Sequence, residues 1–210
     1  MTAQIQDHFT NKGAEFSLVA MSPSEKKLFD PHDYGLDPMG FCTNCWDGYW
    51  CDFDISDALY LEKLSIFCPD LNYPDICGRS VSDPIDKDLD LEDEKIFKKV
   101  WEKNSDYKYY ENMHLRIPFT GKMLAGSDFL WNYYIHMGYQ RPYAYERLYE
   151  FEFADGELVK TTDLSDKAAE MREQIEKLGW EEFESRKDLF GFVNRSFSLD
   201  YEDKGFPEDE

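Results

Sequence analysis

The most reactive side chains of this chain are its cysteines, and Cys42 and Cys45 form a Cys-x-x-Cys pair. Three others follow, at Cys51, Cys68 and Cys77. A zinc site of this type needs a second pair or closely spaced histidines, and a redox pair needs the N-terminus of a helix to lower the thiol pKa. The pair has no such neighbours, and its flanks are typical of a loop that enters a strand. We expect structural cysteines, with no metal and no cofactor; metal binding and redox chemistry are the alternatives.

The second candidate for chemistry is His136, in the stretch Tyr-Ile-His-Met-Gly-Tyr at 134–139. A histidine beside a glycine turn can act as a general base, so the candidate catalytic residues are His136, Cys45 and Glu146. The alternative is a half-buried histidine whose ring nitrogens bond to the backbone at a strand end. The sequence contains no nucleophile elbow, no His-Glu-x-x-His and no phosphate-binding glycine loop.

The charge of the chain limits the partners that it can bind. Its 44 acidic residues outnumber 23 Lys and Arg, which gives a net charge of -21, and it contains 16 Phe, 14 Tyr and 5 Trp. Binding to a phosphate backbone needs clustered basic residues, so we expect no nucleic-acid partner. The aromatic content also argues against a wholly disordered chain, because disordered chains are poor in aromatic residues.

The acidic residues are concentrated in residues 82–94 and in the tail 200–210. They keep an aromatic-rich protein soluble; the alternative is that they dock a basic partner, such as a nuclease or another cationic protein. Exposed aromatic side chains would anchor such an interface. The candidate binding residues are Trp46, Tyr49, Tyr139, Arg141, Asp88, Asp90 and Glu92.

The sequence also bears on the compartment. Residues 1–8 show no basic segment followed by an apolar one, so we expect no secretory signal. No apolar run approaches the roughly 18 residues that a membrane-spanning helix needs. The odd number of cysteines, 5, suits reduced thiols. These features predict a cytoplasmic protein without a membrane partner.

The hydrophobic pattern predicts one α+β domain over residues 1–210, a twisted antiparallel β-sheet with helices packed on one side. The segment 1–40 is predicted to be rich in loops, with a short helix over 24–29, and 200–210 to be an acidic tail. Partly alternating residues predict a hairpin with strands at 49–55 and 58–67. A second hairpin is predicted over 144–161, with its turn at Asp155-Gly156.

The remaining elements are shorter strands and the predicted helices. Strands are expected at 113–118 and 130–137. Helical spacing of apolar residues predicts a helix directly after the acidic stretch 82–94, whose carboxylates complement the helix dipole. Near the C-terminus, a cap at Asp163 or Ser165 begins a helix that ends at Gly179, and a second C-terminal helix follows over 181–190.

Four stretches of the chain form a distinctive series. They are Cys-Trp-Asp-Gly-Tyr at 45–49 with the strand that follows, Leu-Tyr-Leu at 59–61, Leu-Arg-Ile-Pro at 115–118, and Tyr-Ile-His-Met-Gly-Tyr at 134–139 with Tyr145-Glu146. Together they resemble a widespread group of uncharacterised bacterial proteins. The resemblance covers residues 41–67 and 112–160, with Asp47 where the group usually has Arg. It implies a β-rich fold and carries no established activity.

Two hypotheses for the function follow from these features. The first is a non-enzymatic, cytoplasmic bacterial protein that binds a macromolecular partner, in its sharper form an immunity-like protein that masks a basic toxin. The second is a small hydrolase or transferase with a pocket around His136 and Cys45, lined also by Tyr49, Tyr139 and Glu146. The second requires that these side chains meet within hydrogen-bond reach.

Overall fold

The computed structural model describes residues 2–24, 27–40, 42–82, 106–178 and 196–201. Several predictions lie outside these ranges: the helix after the acidic stretch 82–94, the second C-terminal helix at 181–190, and most of the acidic tail 200–210. The candidate binding residues Asp88, Asp90 and Glu92 also lie outside the described residues.

The described residues form one β-sheet of nine strands. Along the chain they are β1 (His8–Asn11), β2 (Ala14–Ser22), β3 (Tyr49–Ile55), β4 (Leu59–Ile66), β5 (Lys108–Tyr110), β6 (Leu115–Arg116), β7 (Gly121–Phe129), β8 (Tyr145–Ala154) and β9 (Glu157–Asp163). Their order across the sheet is β5-β4-β3-β1-β2-β7-β8-β9, and β6 pairs with β4. The pairs are antiparallel except for β1 and β3, which run parallel.

The predicted α+β class, an antiparallel sheet with helices packed on one side, is wrong. Within the described ranges the chain is mostly a mixed sheet, and α1 (Ser165–Leu178) is its single α-helix. In the larger core cluster, loops cover the sheet where helices were expected. Strand side chains such as Phe9 and Phe53 pack there against buried residues of irregular segments. These loop residues are Leu28, Phe29, Leu36, Tyr73 and Ile76.

The N-terminal segment 1–40, predicted to be rich in loops, contributes β1 and β2 to the middle of the sheet. Lys12 and Gly13 join these strands with φ values of 52° and 80°, the positive values that a two-residue hairpin turn of type I′ requires. Leu28 and Phe29, within the helix predicted over 24–29, lie instead in irregular backbone and are buried.

Both predicted hairpins are confirmed. β3 pairs with β4 and β8 pairs with β9, the second around Asp155 and Gly156, whose φ values are 48° and 82°. The strand predicted at 113–118 is observed as the two-residue β6. The strand predicted at 130–137 is wrong, because Trp131–Tyr133 forms a 3-10 turn and irregular backbone follows.

The helix predicted after Asp163 is confirmed as α1. The Asp163 carboxylate accepts hydrogen bonds from the backbone N–H (2.9 Å) and the hydroxyl (2.5 Å) of Ser165, at the first turn of the helix. Ala168 and Ile175 are buried in a second core cluster, together with Val19, Leu124 and Leu148 of the sheet. In the part of the chain that the structure describes, no helix has the length and apolar character needed to cross a membrane.

Candidate functional site

The three candidate catalytic residues lie in different surroundings. His136 is exposed, and its ring lies edge-on to Tyr134 with 4.9 Å between centroids. Glu146 is exposed on β8. Cys45 is buried, and its thiol lies 3.6 Å from the backbone carbonyl oxygen of Tyr49. Burial raises the pKa of Cys45, which leaves little of the thiolate that a nucleophile needs.

The Cys-x-x-Cys pair packs against a tyrosine. The Cys42 thiol lies 3.2 Å from the Tyr107 hydroxyl. A hydrogen bond between Cys45 and Tyr107 lowers the pKa of Cys45 and so opposes part of the increase that burial causes. Among the residues that the structure describes, no three His, Cys, Asp or Glu side chains are grouped so that they could hold a metal ion. All five cysteines are free thiols.

The cysteines are expected to differ sharply in reactivity. Cys77 is exposed, whereas Cys51 and Cys68 are buried; burial raises the pKa of Cys51 and raises that of Cys68 to about 12. Because only the thiolate attacks, an aromatic disulfide reagent at pH 8 should label Cys77 first and the two buried thiols only after unfolding. Peptide mass spectrometry would measure this order, and rapid labelling of native Cys51 would contradict it.

The described binding candidates differ in exposure. Trp46 is 54% exposed and stacks on Phe197, with ring centroids 4.5 Å apart. Tyr49 donates its hydroxyl to the carbonyl oxygen of Phe29 at 3.1 Å. Tyr49 and Tyr139 are half-buried and line one pocket. Arg141 is buried before a 3-10 turn, so Trp46 is the candidate with the most accessible side chain.

A groove of about 430 Å³ crosses the middle of the sheet. We call it the outer groove; its lining includes His8, Glu15, Ser17, Asp52, Asp128 and Tyr145. It draws on β1, β2, β3, β7 and β8, which lie next to one another in the sheet but come from distant parts of the sequence. Sequence analysis did not identify these residues as a site.

Strand register creates the polar part of the outer groove. His8 pairs with Ser17 of β2 on one side and with Asp52 of β3 on the other. Directly paired residues project to the same face of a sheet, so the three side chains form one row. His8 Nδ1 lies 3.3 Å from an Asp52 carboxylate oxygen, and this contact raises the pKa of His8.

The outer groove carries more acidic than basic side chains. Glu15, Asp52 and Asp128 all line it, and the basic lining residue is His8. Arg147 reaches Asp128 from the neighbouring strand and forms an ion pair with it at the edge of the groove. The groove therefore offers carboxylates that are only partly compensated by cationic side chains.

The floor of the outer groove depends on a glycine. Gly126 is paired with Ser17, so it continues the same row of residues. A Cβ atom at this position would lie 2.6 Å and 2.7 Å from Cδ2 and Cδ1 of Tyr145, and closer still to Cγ. The Tyr145 hydroxyl donates to Gln6 at 2.9 Å, and Gln6 in turn donates to the carbonyl oxygen of Leu18. The buried Tyr145 ring is thus held in place at both ends.

An aromatic rim continues the outer groove to the surface; we define it as Phe129, Trp131, Tyr134 and His136. Phe129 lies edge-on to Tyr145 of the groove floor at 5.4 Å and to Trp131 at 5.2 Å. Trp131 is 76% exposed and lies 5.9 Å from Tyr134. His136, a candidate general base in the sequence, is thus found at the end of this chain of rings.

A second cavity of about 310 Å³, the inner pocket, lies between the end of β2 and the segment 196–201. Its lining includes Asp7, Leu18, Lys27, Asp47, Tyr49 and Tyr139. Asp7 accepts a hydrogen bond from the backbone N–H of Cys51 at 2.8 Å. Burial raises the pKa of this carboxyl group from 3.8 to about 6, which marks it as a candidate functional group.

The fold and these sites define a mixed β-sheet protein with an acidic, aromatic-rimmed groove and a separate pocket that contains a half-buried carboxyl group. The chain matches no protein-family model, no curated protein and no solved structure. The resemblance to a bacterial group therefore stays a prediction.

Proposed function

We propose that this protein binds a cationic segment of a protein partner in the outer groove. The observation that carries the proposal is the position of Trp131, which is 76% exposed beside a groove lined by Glu15, Asp52 and Asp128. Aromatic residues in a desolvated contact are the usual anchors of an interface. An exposed tryptophan next to carboxylates suits a segment rich in arginine or lysine.

The charges of the groove favour a basic partner. Its carboxylates attract cations, and the net charge of -21 extends this attraction over the whole molecule. Such complementarity mainly speeds association and sets specificity. A partner arginine can contact the face of the Trp131 ring as a cation–π pair. The proposal is thus a non-enzymatic, cytoplasmic binding protein.

The sharper form of this proposal is an immunity-like role, in which the groove masks a basic surface of a toxin. The surroundings of Cys45 and His136 support binding over the hydrolase or transferase hypothesis. Cys45 is buried and hydrogen-bonded to backbone, while His136 lies on the aromatic rim. Whether the partner is a toxin or another basic protein, substitution of the groove residues should weaken its binding.

We expect Trp131→Ala to weaken binding of an arginine-rich peptide by about tenfold, because truncation of an anchor typically costs more than about 1 kcal/mol. Fluorescence anisotropy of the labelled peptide at low and moderate salt would measure this, and affinity should fall as salt rises. Asp52→Asn should weaken binding less, mainly at low salt.

The matched control is Tyr109→Ala, which removes an exposed aromatic side chain from β5 at the far end of the sheet. This variant should bind the peptide as the wild type does. In a host lysate, the wild type should retain a basic protein that Trp131→Ala does not. Equal binding of the peptide by wild type, Trp131→Ala and Asp52→Asn would refute the groove as the site.

A further inference from the structure

The inner pocket is formed where β2 extends beyond its neighbour β1. Leu18 of β2 donates its N–H to the carbonyl oxygen of Asp7 at 2.9 Å. Three residues further on, Met21 donates instead to Leu199 of the segment 196–201, at 2.8 Å. The segment 196–201 therefore takes the place of β1 beside the end of β2, and the space between the two forms the pocket.

Asp7 is a carboxylate of this pocket at which no basic side chain of the described residues is directed. Lys27 lies 4.0 Å from a carboxylate oxygen of Asp47 and 5.2 Å from the ring centroid of Tyr49. Lys27 is therefore engaged with Asp47 and Tyr49. His8, the neighbour of Asp7 in the chain, lies against Asp52 instead.

The pocket combines polar lining residues, among them Ser24, Lys27, Asp47 and Ser198, with apolar and aromatic ones. The apolar and aromatic part includes Leu18, Met21, Phe29, Tyr49, Phe197 and Leu199. Small-molecule sites use apolar and aromatic walls together with a few polar groups that fix the orientation of the ligand, and about 310 Å³ lies at the lower end of the size range of such sites. Aromatic walls also favour a cation, through the electrostatic attraction of their rings.

We infer that the inner pocket binds a small organic ammonium ion with an apolar body, whose N–H groups donate to the Asp7 carboxylate. The ammonium group supplies the positive charge that no side chain in the described ranges directs at Asp7. The apolar body packs against the aromatic walls. The inference goes beyond the proposed function, because the pocket and the outer groove share none of their lining residues.

The binding should depend on pH in a defined direction. Burial raises the pKa of Asp7 to about 6. The carboxylates of Asp47 and Asp52 also raise this pKa, whereas the hydrogen bond from the Cys51 N–H and the charge of His8 lower it. Tyr49 and Tyr139 also border the pocket, and their pKa values are raised, mainly by burial. Among the described residues that line the pocket, the shift of Asp7 places its change of charge between pH 5 and 7.5, so binding should strengthen over this interval.

Isothermal titration calorimetry with 2-phenylethylammonium chloride tests the inference, with the uncharged 2-phenylethanol as the matched probe. At pH 7.5 the wild type should bind the ammonium ion at least about tenfold more tightly than the alcohol. Asp7→Asn should weaken binding of the ammonium ion by at least about tenfold. At pH 5, where about a tenth of Asp7 is ionised, wild-type binding should be about tenfold weaker.

The control variant is Glu170→Gln, which removes the same charge from an exposed position of α1 and should bind as the wild type does. Circular dichroism would establish that Asp7→Asn is folded, and nuclear magnetic resonance shifts at the Met21 and Leu199 amides would place the ligand in the pocket. Absence of binding, equal binding of the alcohol, or unchanged binding by Asp7→Asn would each overturn the inference.

Discussion

Substitution of Gly126 by alanine is expected to lower the free energy of unfolding by about 3 kcal/mol, the upper part of the range for an overpacked core. A Cβ atom there would lie 2.6 Å from Cδ2 of Tyr145, well inside van der Waals contact. Tyr145 is 2% exposed and its hydroxyl is bonded to Gln6. The ring therefore cannot move aside without losing that bond and its packing in the second core cluster.

Urea denaturation of the wild type and Gly126→Ala at pH 7 would measure this loss. The matched test is the same substitution in a Tyr145→Ala background, because alanine lacks the Cγ, Cδ1 and Cδ2 atoms that the added methyl group would meet. There the cost should fall below half of its value in the wild type, since two residues in contact are not additive. Equal costs in both backgrounds would show that the Tyr145 ring is not what requires a glycine.

The same glycine links stability to the proposed function. Tyr145 forms the floor of the outer groove and contacts Phe129 of the aromatic rim. A displaced Tyr145 ring would disturb Phe129, and through it the position of Trp131. Gly126→Ala should therefore weaken peptide binding as well, whereas Trp131→Ala should weaken binding with little loss of stability because Trp131 is mostly exposed.

The local parts of the fold could be predicted from the sequence. The hairpin at 145–163 combines alternating side chains with an Asp-Gly turn, and α1 combines a cap with a periodic apolar stripe, so both signals lie within a short stretch. The hairpin of β1 and β2 carries a similar signal, in the turn at Lys12-Gly13 and the alternation after it. The many turn-forming residues of segment 1–40 obscure this signal and favour a prediction of loops instead.

The sites were not predictable from the sequence, for a physical reason. The outer groove depends on the pairing of His8 with Asp52, 44 residues away in sequence, and on the parallel register of β1 and β3. Periodicity within one strand gives no information about its neighbour in the sheet. Residue type alone singled out Cys45 and His136, but it does not say that Cys45 is buried or that His136 lies on the aromatic rim.

Asp7→Asn is expected to stabilise the protein by about 2 kcal/mol at pH 8 and to have little effect near pH 4. The pKa of Asp7 is about 6 in the folded protein, against an ordinary value of 3.8. Between these values the folded state binds more protons than the unfolded state, so wild-type stability falls as the pH rises through this window. The full shift corresponds to about 3 kcal/mol, which we reduce because the side chain is only partly buried.

Asparagine removes the charge and keeps a carbonyl oxygen that can accept the hydrogen bond from the Cys51 N–H. Urea denaturation from pH 4 to pH 8 would show the stability of Asp7→Asn relative to the wild type increasing over this window, because the contribution of His8 is common to both proteins. Glu170→Gln, the exposed control, should follow the wild type. A variant less stable than the wild type at pH 8 would contradict the assignment. If the charge does cost stability, an ammonium ligand that neutralises it should recover that stability in the wild type alone, since binding to the folded state raises its stability. The half-buried carboxylate of Asp7 would then be a group whose destabilising effect is offset only when the pocket is occupied.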